Sequence, residues 1–303
     1  MGRVFAAVDI GSNTVHMLVA EVEKGRLRRI RNESEWLGLG EAVTRDAKLP
    51  VDAIGDLIAA LSRFKLLAAS EKASSLYVFA TEAIRAASNG PDAIRLIERS
   101  TKLKVEIISG RREAELGLNG SLIDTDPPKP FALAEVGGGS AQLARCDETG
   151  VHEEFSLPLG TGRLTAKFGL VLPCPVEMYV HVKEFVDLEL REHCRFDPVI
   201  ALVASGGVAR GMVRALHPDG ETTVRREELE YLIWATRRLG VEKTSARFGV
   251  KARRAGTLLL GSTLFAAIMD RLGVNEMSVS ECGVREGAIF EMATGRLRGS
   301  KVA

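Results

Sequence analysis

The residues best suited to chemistry in this chain sit in three short glycine turns, each at the end of an apolar run: Asp9-Ile10-Gly11-Ser12-Asn13-Thr14, Glu135-Val136-Gly137-Gly138-Gly139-Ser140 and Ser205-Gly206-Gly207. Glycine removes the Cβ that would block an approaching oligophosphate, and successive backbone N–H groups in such a turn can point at its oxygens. Ser12, Asn13, Thr14 and Ser140 add side-chain donors. The third turn precedes a helical pattern, where Gly206 and Gly207 would present free N–H groups and the helix dipole to an anion. Any one such turn serves equally well in a structural hairpin. Three at strand ends, spread over both halves, weigh toward phosphate. The acids that precede two of them, Asp9 and Glu135, suit a magnesium ion shielding the phosphates, or else cap their own turns. Glu113 follows Ser109-Gly110-Arg111-Arg112 near the start of a helix, where the two arginines could hold an anion, or where it is an ordinary first-turn glutamate.

The elements that must position these groups follow from the apolar pattern. Val4–Ile10, Val15–Val22 and the basic stretch Leu27–Trp36 read as three antiparallel strands. Ile54, Leu57, Ile58, Leu61 and Phe64 recur at helical spacing after Pro50. A strand over 75–80, a helix opened by Pro91 and a strand over 105–108 complete a mixed α/β layer. Asp124-Thr125-Asp126-Pro127-Pro128-Lys129-Pro130 cannot continue a helix and marks a linker. Beyond it the pattern restarts with strands over 131–136, 141–146 and 151–157, then helices, with strands over 199–204 and 277–279. Each half opens with a strand, an acid, a glycine turn and a return strand, as in an internal duplication. The expected domains are 1–125 and 126–303, the last helix being able to pack back on the first domain.

Composition bounds the rest. At 303 residues, with 46% hydrophobic and 27% charged residues, the chain matches a two-domain globular protein. A net charge of +1 gives no broad field for nucleic acid, and the clusters Arg26/Arg28/Arg29/Arg31 and Lys251/Arg253/Arg254 read as solvated faces, with guidance of a polyanion as the alternative. Four widely spaced cysteines suggest free thiols, and five scattered histidines argue against a His-built metal centre. The apolar run Ala255–Met269 is short for a bilayer and broken by small polar residues, so a buried helix is expected, with no membrane partner. With no leader pattern, the expected location is cytoplasmic.

The turns, together with Ala80-Thr81-Glu82-Ala83-Ile84-Arg85, Ser109-Gly110-Arg111-Arg112-Glu113-Ala114, Leu39-Gly40-Glu41, Ser156-Leu157-Pro158-Leu159-Gly160 and Arg285-Glu286-Gly287, make the chain resemble the exopolyphosphatase and guanosine pentaphosphate phosphohydrolase family nearly end to end. The resemblance implies two actin-like (ribonuclease H-like) domains, mixed sheets flanked by helices, with an interdomain cleft, in the short two-domain form. It implies removal of terminal phosphate from inorganic polyphosphate or guanosine pentaphosphate, dependence on Mg2+ or Mn2+, and leaves a homodimer open. Glu113 falls on the family's catalytic base, and Arg85 on its phosphate-contacting arginine. Asp9, Glu135 and Gln142 fall at the metal positions; Gly11 to Thr14, Gly137 to Ser140, Gly206 and Gly207 fall at the phosphate loops.

Four positions depart from the family pattern. Arg112 replaces an acid before the catalytic glutamate, and Gly38 replaces an arginine before Leu-Gly-Glu. Glu135 replaces aspartate, and Gln142 replaces a second glutamate, which an amide cannot match in charge or basicity. The leading expectation is a metal-dependent phosphohydrolase acting on polyphosphate. The alternative is a weakly active or non-catalytic binder of guanosine tetra- or pentaphosphate or polyphosphate; a small-molecule kinase on the same fold is third.

Overall fold

The computed structural model describes residues 2–302, which divide into unit 1 (residues 2–123 and 282–302) and unit 2 (124–281). Unit 1 contains β1 (Arg3–Ile10), β2 (Thr14–Glu23), β3 (Arg26–Trp36), α1 (Leu39–Asp46), α2 (Val51–Ser70), β4 (Leu76–Ala80), α3 (Glu82–Ala86), α4 (Gly90–Thr101), β5 (Val105–Ile107) and α5 (Gly110–Ser121). Unit 2 follows with β6 (Phe131–Val136), β7 (Ala141–Asp147), β8 (Gly150–Leu157), α6 (Thr161–Phe168), α7 (Val176–His193), β9 (Ala201–Ser205), α8 (Gly206–Leu216), β10 (Thr223–Arg225), α9 (Arg226–Arg238), α10 (Val241–Phe248), α11 (Ala252–Leu272) and β11 (Glu276–Val279). The chain then returns to unit 1 with α12 (Val284–Ala293).

The sheet of unit 1 runs β3-β2-β1-β4-β5, its first three strands antiparallel and β4 and β5 parallel to β1. Read from β8, unit 2 runs β8-β7-β6-β9-β11-β10. The order is the same, with β11 in the fifth place and the short β10 appended antiparallel at the edge. The restart seen in the sequence is therefore a repeat of topology. β10 has three residues, too few for an alternating pattern to reveal it.

In unit 1 the two faces of the sheet bury different partners. Val8, Ile10, Val15 and Met17 pack with Ile54, Leu57, Leu61 and Phe64 of α2. Phe5, Ala7, Leu18 and Phe79 pack with Leu116 of α5 and Ile289 and Met292 of α12. α5 and α12 approach closely because Gly120 and Gly287 stand where they meet: a Cβ on Gly120 would strike the carbonyl of Gly283, and one on Gly287 that of Leu116. Fully burying a large apolar side chain is worth roughly 1.5–3 kcal/mol, so α12 is held by Ile289 and Met292 as well as by backbone fit.

α11 is longer than its sequence suggested, at 21 residues, and by length and hydropathy it would pass as a membrane span. Leu258 to Met269 are nonetheless all buried within unit 2, as a core helix requires. All four cysteines are buried and none forms a disulfide.

Candidate functional site

In unit 1, Asp9 is half-buried at the end of β1, cross-strand from His16. The turn beyond it is closed by the Gly11 N–H donating to the Thr14 carbonyl at 3.2 Å. A brace lies beneath it: the Gly40 N–H donates to Ser12 O at 2.6 Å, and the N–H groups of Leu37 and Gly38 both donate to Asn13 O at 3.0 Å. Leu39-Gly40-Glu41 is thus the support of the first turn, and glycine at 40 is demanded by the closeness of Ser12, whose Cβ lies 2.7 Å from where a Gly40 Cβ would stand.

Unit 2 repeats the device. Gly137 N–H donates to Ser140 O at 2.9 Å, and Gly137 O and Gly138 O accept from the N–H groups of Thr161 and Arg163, each at 2.9 Å. Gly160 lies so close to Gly138 and Gly139 that no Cβ fits between them. In both turns the carbonyls are engaged by the brace, so the amide ends are what the turns have left to offer an anion. Sequence reading named both Leu-Gly segments without assigning them this work; the signal was their matching place at the head of a helix, α1 in one half and α6 in the other.

The candidate base is seated by α5. Ser109 caps that helix, its Oγ accepting from the Arg112 N–H at 3.2 Å, so Glu113 falls in the first turn. Arg85, on α3, reaches across: Nη1 donates to the Ile108 carbonyl at 2.7 Å and lies 3.5 Å from Glu113 Oε2, while Nη2 donates to Glu82 Oε2 at 2.9 Å. Side-chain exposures of 25% for Arg85 and 13% for Glu113 leave the pair in reach of solvent but poorly screened. The two family segments are brought together in one ion pair.

Arg112, expected to help hold an anion, does something else. Its guanidinium forks onto Glu291 of α12, with Nη1 3.1 Å from Oε1 and Nη2 against Oε2, and Asn119 Nδ2 donates to Glu291 Oε1 at 2.8 Å. Glu291 is 4% exposed, so Arg112 is the counter-charge of a buried acid. Three arginines of the basic cluster on β3 are paired as well: Arg28 with Glu21, Arg29 with the buried Glu286, Arg31 with Glu33 and Glu71.

In unit 2, Glu135 and Gln142 are cross-strand partners, and Glu135 is also in register with Ser205. Ser205 Oγ donates to Glu135 Oε2 at 3.1 Å. Gly206, at φ 88°, lies under the same carboxylate: a Cβ there would stand 2.9 Å from Glu135 Oε1. The added methylene of Glu135 therefore reaches the third turn, and Gly206 makes room for it, while Gly207 is exposed. Ser140 is buried, at 8%. Gln142, 7% exposed, donates from Nε2 to Ser156 Oγ at 3.0 Å.

The sequence placed Arg254 in a cluster read as a solvated face, with guidance of a polyanion as the alternative, and did not connect it to the third turn. Arg254 Nη1 donates to the Gly207 carbonyl. Burial first, then the neighbouring Arg214 and Arg210, push its guanidinium below the ordinary arginine value. Arg254 is the cation at the turn itself, while Arg214 has a counter-charge in Glu281 at 3.8 Å and Arg210 donates to the Glu281 carbonyl at 3.3 Å. The place of Arg254 at a helix head was the available signal.

Among the described residues no three His, Cys, Asp or Glu side chains gather as a metal cage. Each unit by itself offers a sparser donor, a single carboxylate at its turn, Asp9 in unit 1 and Glu135 in unit 2. Magnesium is commonly held in that way, by one or two carboxylates with waters and the substrate's own phosphates.

Residues 18–295 match the sequence profile of the Ppx/GppA phosphatase family. The chain is 26% identical over 310 residues to Exopolyphosphatase 1 of Mycobacterium tuberculosis, covering 93% of this chain and 86% of that protein. Among solved structures it is similar to the Ppx/GppA family member of Aquifex aeolicus, with 26% identity, a TM-score of 0.82, and coverage of 97% and 98% of the two chains. An exopolyphosphatase from Cytophaga hutchinsonii shares the fold at TM-score 0.83 and 20% identity, over 99% of this chain and all of that one.

Proposed function

The chain belongs to the Ppx/GppA phosphatase family, and on that premise we propose that it hydrolyses the terminal phosphate from inorganic polyphosphate. The observation that carries this reading is the Arg85–Glu113 pair, which sets a poorly solvated carboxylate beside a phosphate-competent cation. Glu113 orients a water molecule and takes its proton as the oxygen attacks the terminal phosphorus. The bond from that phosphorus to the bridging oxygen breaks, and the shortened chain leaves with that oxygen. Arg85 offsets charge on the transferring phosphoryl group, and the donors of the Gly11–Thr14 turn hold phosphate oxygens. The Gly137–Ser140 turn and Gly207 offer unit 2's donors to phosphate. Asp9 or Glu135 would hold Mg2+ or Mn2+ together with waters and phosphate oxygens, and the ion would supply further neutralisation of phosphate charge.

A second reading, a binder of guanosine tetra- or pentaphosphate with little turnover, is favoured by Gln142, whose amide lies beside Glu135 where a second acid would strengthen a cation site. Phosphate release from long-chain polyphosphate, with Mg2+ or Mn2+, separates the two. The wild-type chain should turn over, and Glu113→Gln should lose roughly 10²–10⁴-fold in kcat. Full activity of Glu113→Gln removes the base; tight binding by the wild type with no release under either ion supports the second reading. We place the chain in the cytoplasm, where cysteines that form no disulfide would stay reduced.

A further inference from the structure

Arg85 and Glu113 lie 28 residues apart, and a third side chain sets how they meet. α3 is five residues long, and its Ala83 and Ile84 are buried, so this short helix is pinned to the core of unit 1. Glu82 and Arg85, three residues apart, are neighbours on its surface. The Arg85 guanidinium is fastened at both of its terminal nitrogens: Nη1 donates to the Ile108 carbonyl at 2.7 Å, and Nη2 donates to Glu82 Oε2 at 2.9 Å. A planar group held at both ends has its plane set. Its approach to the candidate base is looser, with Nη1 at 3.5 Å from Glu113 Oε2.

An arginine and a carboxylate with nothing else to satisfy favour a fork of two parallel hydrogen bonds, each about 2.7–2.9 Å. Arg112, one residue before Glu113, makes such a fork with both oxygens of Glu291. Arg85 and Glu113 do not close in this way, and the nitrogen that would complete their fork is the one Glu82 holds. A base enclosed in a fork would give up acceptor positions that an attacking water needs. The Glu82–Arg85 pair is also sheltered, with side-chain exposures of 20% and 25%, so its attraction is less screened than at an open surface.

We infer that Glu82 is a positioning residue of the reaction: it holds the second arm of Arg85 so that the guanidinium stands beside Glu113 without closing on it. The inference rests on the proposed roles of Arg85 and Glu113. Glu82 acts through Arg85 alone.

The test measures phosphate release from long-chain polyphosphate by the wild type, Glu82→Ala and Glu82→Gln. With no acceptor at 82, Nη2 turns to Glu113, and kcat should fall roughly 10- to 100-fold, the scale of a displacement of about 1 Å, with KM changing less than kcat. Glu82→Gln, whose amide oxygen still accepts from Nη2, should recover most of the loss. Tm should stay close to the wild type's in both, since one pair on a helix surface adds little stability. A fall in kcat that tracks a fall in Tm, equal losses in the two variants, or no loss in Glu82→Ala overturns the inference. A second arm repeats Glu82→Ala on Arg85→Lys, whose point charge has no plane to set. There the effect on kcat should shrink to less than about twofold, because the two residues act as a unit; an undiminished effect overturns the inference. Glu113→Gln, assayed alongside, reads the proposed reaction separately. Full activity of Glu113→Gln refutes the base, whereas its loss of activity with Glu82→Ala unaffected refutes the positioning role alone.

Discussion

Gly40→Ala isolates the brace beneath the first turn. Gly40 is the second residue of α1, buried, and its φ lies outside the left-handed region, so alanine is compatible with its backbone. The obstacle is steric. The new Cβ would stand 2.7 Å from Ser12 Cβ and 3.3 Å from both Ser12 O and Oγ, where ordinary contact begins at 3.4 Å. Ser12 must therefore retreat by about 0.7 Å, and overpacking of this kind costs about 1–3 kcal/mol. Alanine's helix propensity offsets up to about 1 kcal/mol of that. The larger effect falls on the site: misplacement by about 1 Å costs on the order of 10²-fold, so phosphate release should fall at least tenfold. The control is Gly55→Ala in α2, where a Cβ meets nothing within 4 Å. It should stabilise by about 0.5–1 kcal/mol and leave turnover alone. Thermal melting and phosphate release on both variants decide the matter: if Gly40→Ala follows Gly55→Ala in Tm and in kcat/KM, the brace does not position the turn.

Arg112→Met, which leaves Glu291 buried without its counter-charge, should cost about 3–5 kcal/mol in urea unfolding, and adding Glu291→Leu should recover most of it. Gln142→Glu sets two carboxylates opposite each other across β6 and β7, a repulsion of about 0.2–1 kcal/mol; its Tm should drop in chelator and rise with Mg2+ more than the wild type's, and an indifferent Tm would refute the placement of a cation at Glu135. His217 Nε2 lies 2.8 Å from Glu228 Oε1. Burial alone would lower His217, but the Glu228 hydrogen bond and charge outweigh it and raise it above 6.5; burial alone would raise Glu228, but hydrogen bonds from His217 and the Arg225 N–H bring it below 4.5. The His217 contribution is complete below pH 6.5 and fades as pH rises through its raised value. The Glu228 contribution is complete above pH 4.5 and fades as pH falls through its lowered value. Their stabilisation is fullest between about pH 4.5 and 6.5, and His217→Gln should flatten that part of the Tm profile.

Most of the strands were legible because they are apolar runs bounded by glycine and charged turns, and because the second half begins with the same pattern as the first; the basic β3 was read from its place after the Lys24-Gly25 turn, and the three-residue β10 was missed. The acid, turn and return strand of each half needed only local spacing. What escaped the sequence was set by distance along the chain. The brace from Gly40 to Ser12 joins residues 28 apart, and that from Arg163 to Gly138 joins residues 25 apart. Nothing in a glycine's neighbours tells whether it bends the chain or lets another strand approach. Gly206 is intelligible only once β9 lies beside β6 and Glu135 is above it. Arg254 looked solvated because its partner is a backbone carbonyl 47 residues away.

The fork from Arg112 to Glu291 joins positions 179 residues apart and carries a consequence for descent. An acid at position 112 would face the buried Glu291 with like charge in a poorly solvated contact, so one of the two carboxyls would have to hold a proton or turn away. Covariation of these two columns among relatives, with residue 113 held constant, would mark position 112 as a record of how α5 and α12 came to be fastened rather than of a catalytic group lost.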